Sequence, residues 1–130
     1  MKKLLLNNNQ IQRISPLQFK GLKNLELLNI DHNNIEVIPE DAFKNSPNLK
    51  FVFARYNQIN TIAGNSFDTN PALKIAYLSH NELSEVQDDL FADKPDLKRV
   101  DLGDNQLTSV GSIFEVMNVV LADRYLIFEK

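Results

Sequence analysis

Apolar and polar positions follow a pattern that returns every 24 residues along this chain, each copy anchored on an asparagine: Asn9, Asn33, Asn57, Asn81 and Asn105. Eight positions before each stand Met1, Leu25, Leu49, Leu73 and Leu97. Five before stand Leu4, Leu28, Val52, Ala76 and Val100, and three before, Leu6, Ile30, Ala54, Leu78 and Leu102. Two positions after come Ile11, Ile35, Ile59, Leu83 and Leu107; five after come Ile14, Ile38, Ile62, Val86 and Val110. Ten after come Phe19, Phe43, Phe67 and Phe91, with Glu115 the single break in these columns. A unit of 24 residues cannot bury its own apolar face, so the copies must stack into a solenoid.

The segment Leu25-x-x-Leu28-x-Ile30 ends in two-fold alternation, which predicts a short strand with Leu28 and Ile30 pointing inward. Stacked copies then make a parallel sheet with rungs about 4.8 Å apart. Each anchoring asparagine falls where the chain leaves the strand. Its amide carries two donors and an acceptor oxygen, enough to bond turn backbone in its own coil and in the next. The expectation is a buried ladder of Asn9, Asn33, Asn57, Asn81 and Asn105 that satisfies main-chain groups at each corner. Phe19, Phe43, Phe67 and Phe91 are expected to stack as a spine on the opposite wall. Pro47, Pro71 and Pro95 precede the next coil's leucine by two positions and suit a stiff return loop.

The motif L-x-x-L-x-L-x-x-N-x-L, with phenylalanine ten positions after the asparagine, resembles the leucine-rich repeat. It is similar to the Phe-containing subtype of Toll-like receptor ectodomains, small leucine-rich proteoglycans and arthropod leucine-rich surface and immune proteins. The resemblance covers residues 1–110 as five repeats, the first of them partial. It implies an α/β solenoid: a right-handed horseshoe with a parallel concave sheet and a mostly irregular convex side. The parallel crossover rule gives the same hand. It further implies a non-enzymatic recognition module at the cell surface or outside the cell, without naming a partner, because one scaffold serves many ligands.

Both ends depart from the pattern. Gly111-Ser112-Ile113-Phe114-Glu115 replaces the Phe-containing turn, and Ser112 with Glu115 reads as a capping box. Ile113, Met117, Val120 and Leu121 follow at helical spacing. The expectation for 111–130 is therefore a short helix over about 113–122 and a strand over 125–128, closing the last coil or serving as a docking surface. At the other end Met1-Lys2-Lys3-Leu4-Leu5-Leu6 mimics the opening of a secretory signal, but its apolar run meets Asn7-Asn8-Asn9-Gln10 and reads as structure. Related extracellular proteins carry cysteine-rich caps, whereas this chain has no cysteine and begins inside a repeat. Leu4 and Leu6 are thus expected on an open end. A piece of a larger receptor-like or immune protein is the favoured reading; a minimal protein that self-associates through its ends is the alternative.

Strand alternation puts positions six, four and two before each asparagine on the inner surface. The candidate partner-binding residues there are Leu27, Phe51, Phe53, Arg55, Ile75, Tyr77, Arg99 and Asp101. Leu27, Phe51, Phe53, Ile75 and Tyr77 would form one apolar patch over three rungs, with Arg55 at its edge, as a protein-binding hot region does. Ordinary cross-strand packing of aromatics is the competing explanation. Arg99, Asp101 and Asp104 would form a charged flank suited to setting partner choice.

Composition narrows the chemistry. The 130 residues carry 14 Lys and Arg against 17 Asp and Glu, a net charge of −3. That balance argues against a general nucleic-acid binder, so a protein partner is expected. No apolar run is long enough to span a bilayer. Four glycines in all leave no phosphate-cradling loop, and G-x-S-x-G is absent. His32 and His80 occupy equivalent places two rungs apart, roughly 9.6 Å, too far to share one zinc. With Tyr56 between them they read as a polar ladder. Ser79, His80 and Asp104 have the residue types of a hydrolytic triad without evident geometry, and Asp88-Asp89 reads as solvated charge rather than a calcium site. No catalytic residue, metal ligand or cofactor is therefore expected. After Asn45, Asn60 and Asn65 the hydroxyl residue stands one place too close for a glycosylation sequon.

Overall fold

The computed structural model describes residues 1–108 and the backbone of strands 118–122 and 125–129. In chain order the strands are Lys3–Leu5 (β1), Leu27–Asn29 (β2), Val37–Ile38 (β3), Phe51–Phe53 (β4), Thr61–Ile62 (β5), Ile75–Tyr77 (β6), Arg99–Asp101 (β7), Asn118–Ala122 (β8) and Tyr125–Glu129 (β9). One sheet has the order β1-β2-β4-β6-β7-β9-β8, and β3 pairs with β5 in a second ladder. From β1 to β7 its strands are parallel, and each residue pairs with the one a repeat later: Lys3 with Leu27, Leu27 with Phe51, Phe51 with Ile75, Ile75 with Arg99. This is the parallel solenoid that the repeat demands. In β2, β4, β6 and β7 only the middle residue is buried, so each strand offers one side chain to the core and two to the other face.

The core is one continuous cluster to which the second to fifth coils contribute the same columns, among them Leu25, Leu49, Leu73 and Leu97, then Leu28, Val52, Ala76 and Val100; in the first coil Met1 is exposed and Leu4 only partly buried. Phe19, Phe43, Phe67 and Phe91 are all buried, with successive ring centroids 5.7, 5.4 and 5.8 Å apart. The first pair is tilted by 49°, the later two by 20°. Phe19 closes a 3-10 turn, Pro16–Phe19, in which proline presets the first backbone angle. Pro47, Pro71 and Pro95 lie exposed in the return loops.

At each corner the asparagine side chain turns back beneath its own strand. Asn57 Nδ2 donates to Ala54 O (3.3 Å) and Arg55 O (3.2 Å) in its own coil and to Ile30 O (3.0 Å) in the preceding one. Its Oδ1 accepts from the Ile35 N–H at 3.1 Å, also in the preceding coil. Asn33, Asn81 and Asn105 repeat the arrangement. The inter-coil bonds run back to the earlier turn, not forward to the next. Asn9, with no described coil before it, bonds only Leu6 O and Asn7 O and is exposed.

A second polar column lies on the convex side at Ser46, Asn70 and Lys94, all buried. Ser46 Oγ donates to Leu22 O (3.0 Å), and Asn70 Nδ2 donates to Phe43 O (3.2 Å) and Ser46 O (2.9 Å). These three residue types share hydrogen-bonding capacity but no apolar signature, so the column is silent in a hydrophobicity pattern.

The C-terminal region differs from the expected helix. Residues 113–117 lie outside the described residues, while Asn118–Ala122 is a strand that pairs antiparallel with β9 from Asn118↔Glu129 to Ala122↔Tyr125. β9 in turn pairs antiparallel with β7, Arg99↔Glu129 through Asp101↔Ile127. The open edge of β7 offers unpaired backbone groups, and β-branched Val119, Val120 and Ile127 favour strands. Edge pairing thus outweighs the helical spacing. The expected strand over 125–128 is present as β9, reversed in direction relative to the repeats.

Two outcomes follow. Asn57→Ala removes four bonds from a buried corner and should destabilise the chain by about 3 kcal/mol in urea unfolding, whereas Asn9→Ala should cost less than about 0.5 kcal/mol. Burial pushes the Lys94 ammonium below the ordinary lysine value of 10.5, against the opposing pull of Asp68 and Asp93. The unfolded chain then holds this proton more tightly than the folded one. Stability should therefore rise with pH between the lowered folded value and 10.5. Lys94→Met should flatten that rise in urea midpoints taken across alkaline pH.

Candidate functional site

The sheet register brings two rows of side chains together on the concave face. Leu27, Phe51, Ile75 and Arg99 stand side by side on β2, β4, β6 and β7, as do Asn29, Phe53, Tyr77 and Asp101. All eight are half-buried. Phe53 and Tyr77 stack with centroids 5.1 Å apart and planes 17° apart. The Arg55 guanidinium carbon lies 5.8 Å from the Phe53 centroid and 5.1 Å from that of Tyr77, and the Arg99 carbon lies 5.7 Å from Tyr77. Both cations sit within range of the negative ring face.

Arg55 is held in place by Asp31 of the preceding coil. Its Nε and Nη2 donate to Asp31 Oδ2 at 3.1 and 2.7 Å, and its backbone N–H donates to Asp31 Oδ1. Alternation places Asp31 on the inner surface, yet it is 4% exposed because Arg55 folds over it. The hydrogen bond to Asp31 raises the Arg55 pKa further above its ordinary value, with burial opposing. The planar guanidinium is thereby fixed across the aromatic stack.

One position before each asparagine the backbone takes the left-handed region, with φ of 59° at Asn8, 55° at His32, 56° at Tyr56, 57° at His80 and 48° at Asp104. Asparagine, aspartate and histidine adopt this region more readily than most residues, and the bulky Tyr56 is strained there. The strain is offset by main-chain bonds to the next coil, such as His32 N to Arg55 O at 2.9 Å and Tyr56 N to Ser79 O at 3.2 Å. The rings themselves stack. His32 and Tyr56 lie 4.4 Å apart, Tyr56 and His80 4.2 Å, both pairs within 7° of parallel. Asp104 Oδ2 sits 3.2 Å from His80 Nε2 and ends the ladder.

Catalytic geometry is not assembled from these groups. Ser79 is buried, and no hydrogen bond joins its hydroxyl to His80 among the described residues. No group of three or more His, Asp or Glu suited to a metal ion occurs among the described residues. Asp88 and Asp89 are exposed. Of the charged flank, Asp104 faces His80, while Asp101 Oδ1 accepts from the Gly103 N–H at 3.0 Å.

At the opposite end of the sheet, Leu4, Leu6, Ile11, Ile14, Phe19 and Ile30, with Gln18 as the one polar residue, line a cavity of about 220 Å³. Met1 and Leu5 nearby are 68% and 62% exposed. No described helix is long and apolar enough to cross a membrane.

A leucine-rich repeat family model matches residues 1–59 and again 31–83, and the chain belongs to that family. Among solved structures, the leucine-rich repeat domain of APL1B is 28% identical and superposes with a TM-score of 0.82, over 86% of this chain and 34% of that one. The APL1 leucine-rich repeat domain is also 28% identical, with a TM-score of 0.79 over 85% of this chain and 29% of that one. A TLR13–ssRNA13 complex matches at 29% identity and a TM-score of 0.79, over 83% of this chain and 15% of the TLR13 chain. The chain thus spans about a third or less of the length of these relatives. No relative was found among curated proteins. The family is a scaffold for interaction, and its fold leaves the choice of partner to the surface residues.

Proposed function

We propose that this chain is a non-enzymatic recognition module whose concave face binds a protein partner. The supporting observation is the contiguous, half-exposed surface of Leu27, Phe51, Ile75, Phe53 and Tyr77, crossed by the fixed Arg55. Each coil's apolar core is complete without these side chains, and aromatics beside an arginine are the residue types that dominate binding energy at protein interfaces. Arg99 and Asp101 belong to the same surface and would tune partner choice. The likeness to APL1 and to TLR13 supports a role in innate immune recognition, outside the cell or at its surface, as part of a larger protein. The complex of TLR13 carries RNA, but a net charge of −3 favours a protein here.

Panning a random displayed-peptide library on the chain tests this reading. The recovered peptides should bind the Phe53→Ala/Tyr77→Ala variant at least about tenfold more weakly, while its thermal midpoint stays within a few degrees. Peptides indifferent to both substitutions, or an equal loss of stability, would point to packing alone.

The apolar cavity beside exposed Met1 and Leu5 favours a second reading, assembly through the β1 end without a separate ligand. Sedimentation decides it. Self-assembly predicts dimers or larger species at micromolar concentration that Leu5→Lys disperses, and a monomer there counts against it.

A further inference from the structure

The position just before each concave strand forms a column of its own: Lys2, Glu26, Lys50, Lys74 and Lys98. The coils are joined at this point by main-chain bonds, Lys50 N to Glu26 O, Lys74 N to Lys50 O and Lys98 N to Lys74 O, each 2.8 Å. Side chains one rung apart in this column reach each other, since Lys50 Nζ lies 3.4 Å from Glu26 Oε1. Lys74 and Lys98 continue the column with no acid between them, and neither forms an ion pair with a described residue. Like charges stacked on adjacent strands disfavour folding, and an alternating acid, as at Glu26, would remove the cost. Stability alone therefore does not account for three lysines in successive rungs.

Cationic groups predominate on the side where the strands begin. Lysines stand at the start of β4, β6 and β7, Arg55 and Arg99 lie against the aromatic rings, and the carboxylate of Asp101 stands at the far end of β7. Building on the proposed concave docking, we infer that the partner is an acidic polypeptide segment. Its carboxylates lie over Lys74 and Lys98, and its aromatic or branched apolar side chains lie on Ile75 and Tyr77. A sulfated or phosphorylated polymer satisfies the lysines but leaves Leu27, Phe51 and Ile75 uncovered and meets repulsion from Asp101. An apolar segment without acid leaves the lysines unmatched. Only a chain that carries both kinds of group, with its acidic edge toward the lysines, complements the surface.

The test uses the full chain and the same displayed-peptide library. Recovered peptides should be enriched in Asp and Glu beside aromatic or aliphatic residues, relative to the input. Their affinity should fall about tenfold in Lys74→Glu/Lys98→Glu, through slower association, and should weaken with added salt. The thermal midpoint of that variant should not fall. If Phe53→Ala/Tyr77→Ala abolishes binding while the lysine variant binds normally and acidic enrichment is absent, concave docking stands and the acidic partner is overturned. If neither variant matters, or the selection returns no peptide, both readings fail. Heparin binding that depends on Lys74 and Lys98 but not on Tyr77 would replace the peptide with a free polyanion and would equally overturn the inference.

Discussion

The carboxamide of an asparagine at a tight corner ties each coil of this solenoid to the one before it, and the rest of the structure depends on it. Where the chain leaves a concave strand it turns through a left-handed residue, which strips carbonyl groups of regular partners in a place water does not reach. One planar group with two N–H donors and an acceptor oxygen serves that corner and the coil before it at once, as at Asn81. An aspartate would place an anion against the same carbonyls, and a glutamine would overshoot them. Because the bonded groups lie at the corners of successive coils, a residue gained or lost between a strand and its asparagine would leave buried polar groups unmade. The apolar columns tolerate leucine, valine and alanine in turn, as at Leu28, Val52 and Ala76.

Strict stacking also makes the concave face what it is. Equivalent side chains fall in rows one rung apart, so any aromatic residue recurring in neighbouring coils is brought to stacking distance. That applies to Phe53 with Tyr77 on the sheet and to the His32–Tyr56–His80 ladder on the corner. The surface is assembled from residues the core does not constrain, and a chemistry chosen freely at each rung is presented on a rigid support. Arg55 gains its fixed position in the same way, from an aspartate one coil away.

Legibility differed between the columns for physical reasons. The apolar columns and the strand periodicity were readable because burial acts on every coil alike and repeats the same residue types. The facing of Leu27, Phe51, Phe53, Ile75 and Tyr77 followed from two-residue alternation once the strands were placed. Asp31 departs from that simple rule. Alternation turns it outward, but a charge-assisted pair with Arg55 buries it. The convex column of Ser46, Asn70 and Lys94 carried no shared apolar signature and is visible only where hydrogen bonds define it. The C-terminal segment misled for a different reason: helical spacing is a local cue, and the vacant edge of β7 supplies a competing partner that no local window contains.

Taken alone, the order of residues determined the 24-residue coil, the inward columns and the parallel sheet, because each repeat carries the same burial demand and satisfies it only by stacking. Tertiary structure decided the direction in which the asparagines reach, the burial of Asp31 beneath Arg55 and the antiparallel pairing of β9 on β7. Burial is set by what a residue is. Polar pairing and edge closure are set by which groups the neighbouring coil or strand brings within hydrogen-bond reach, and that is known only once the coils are in place.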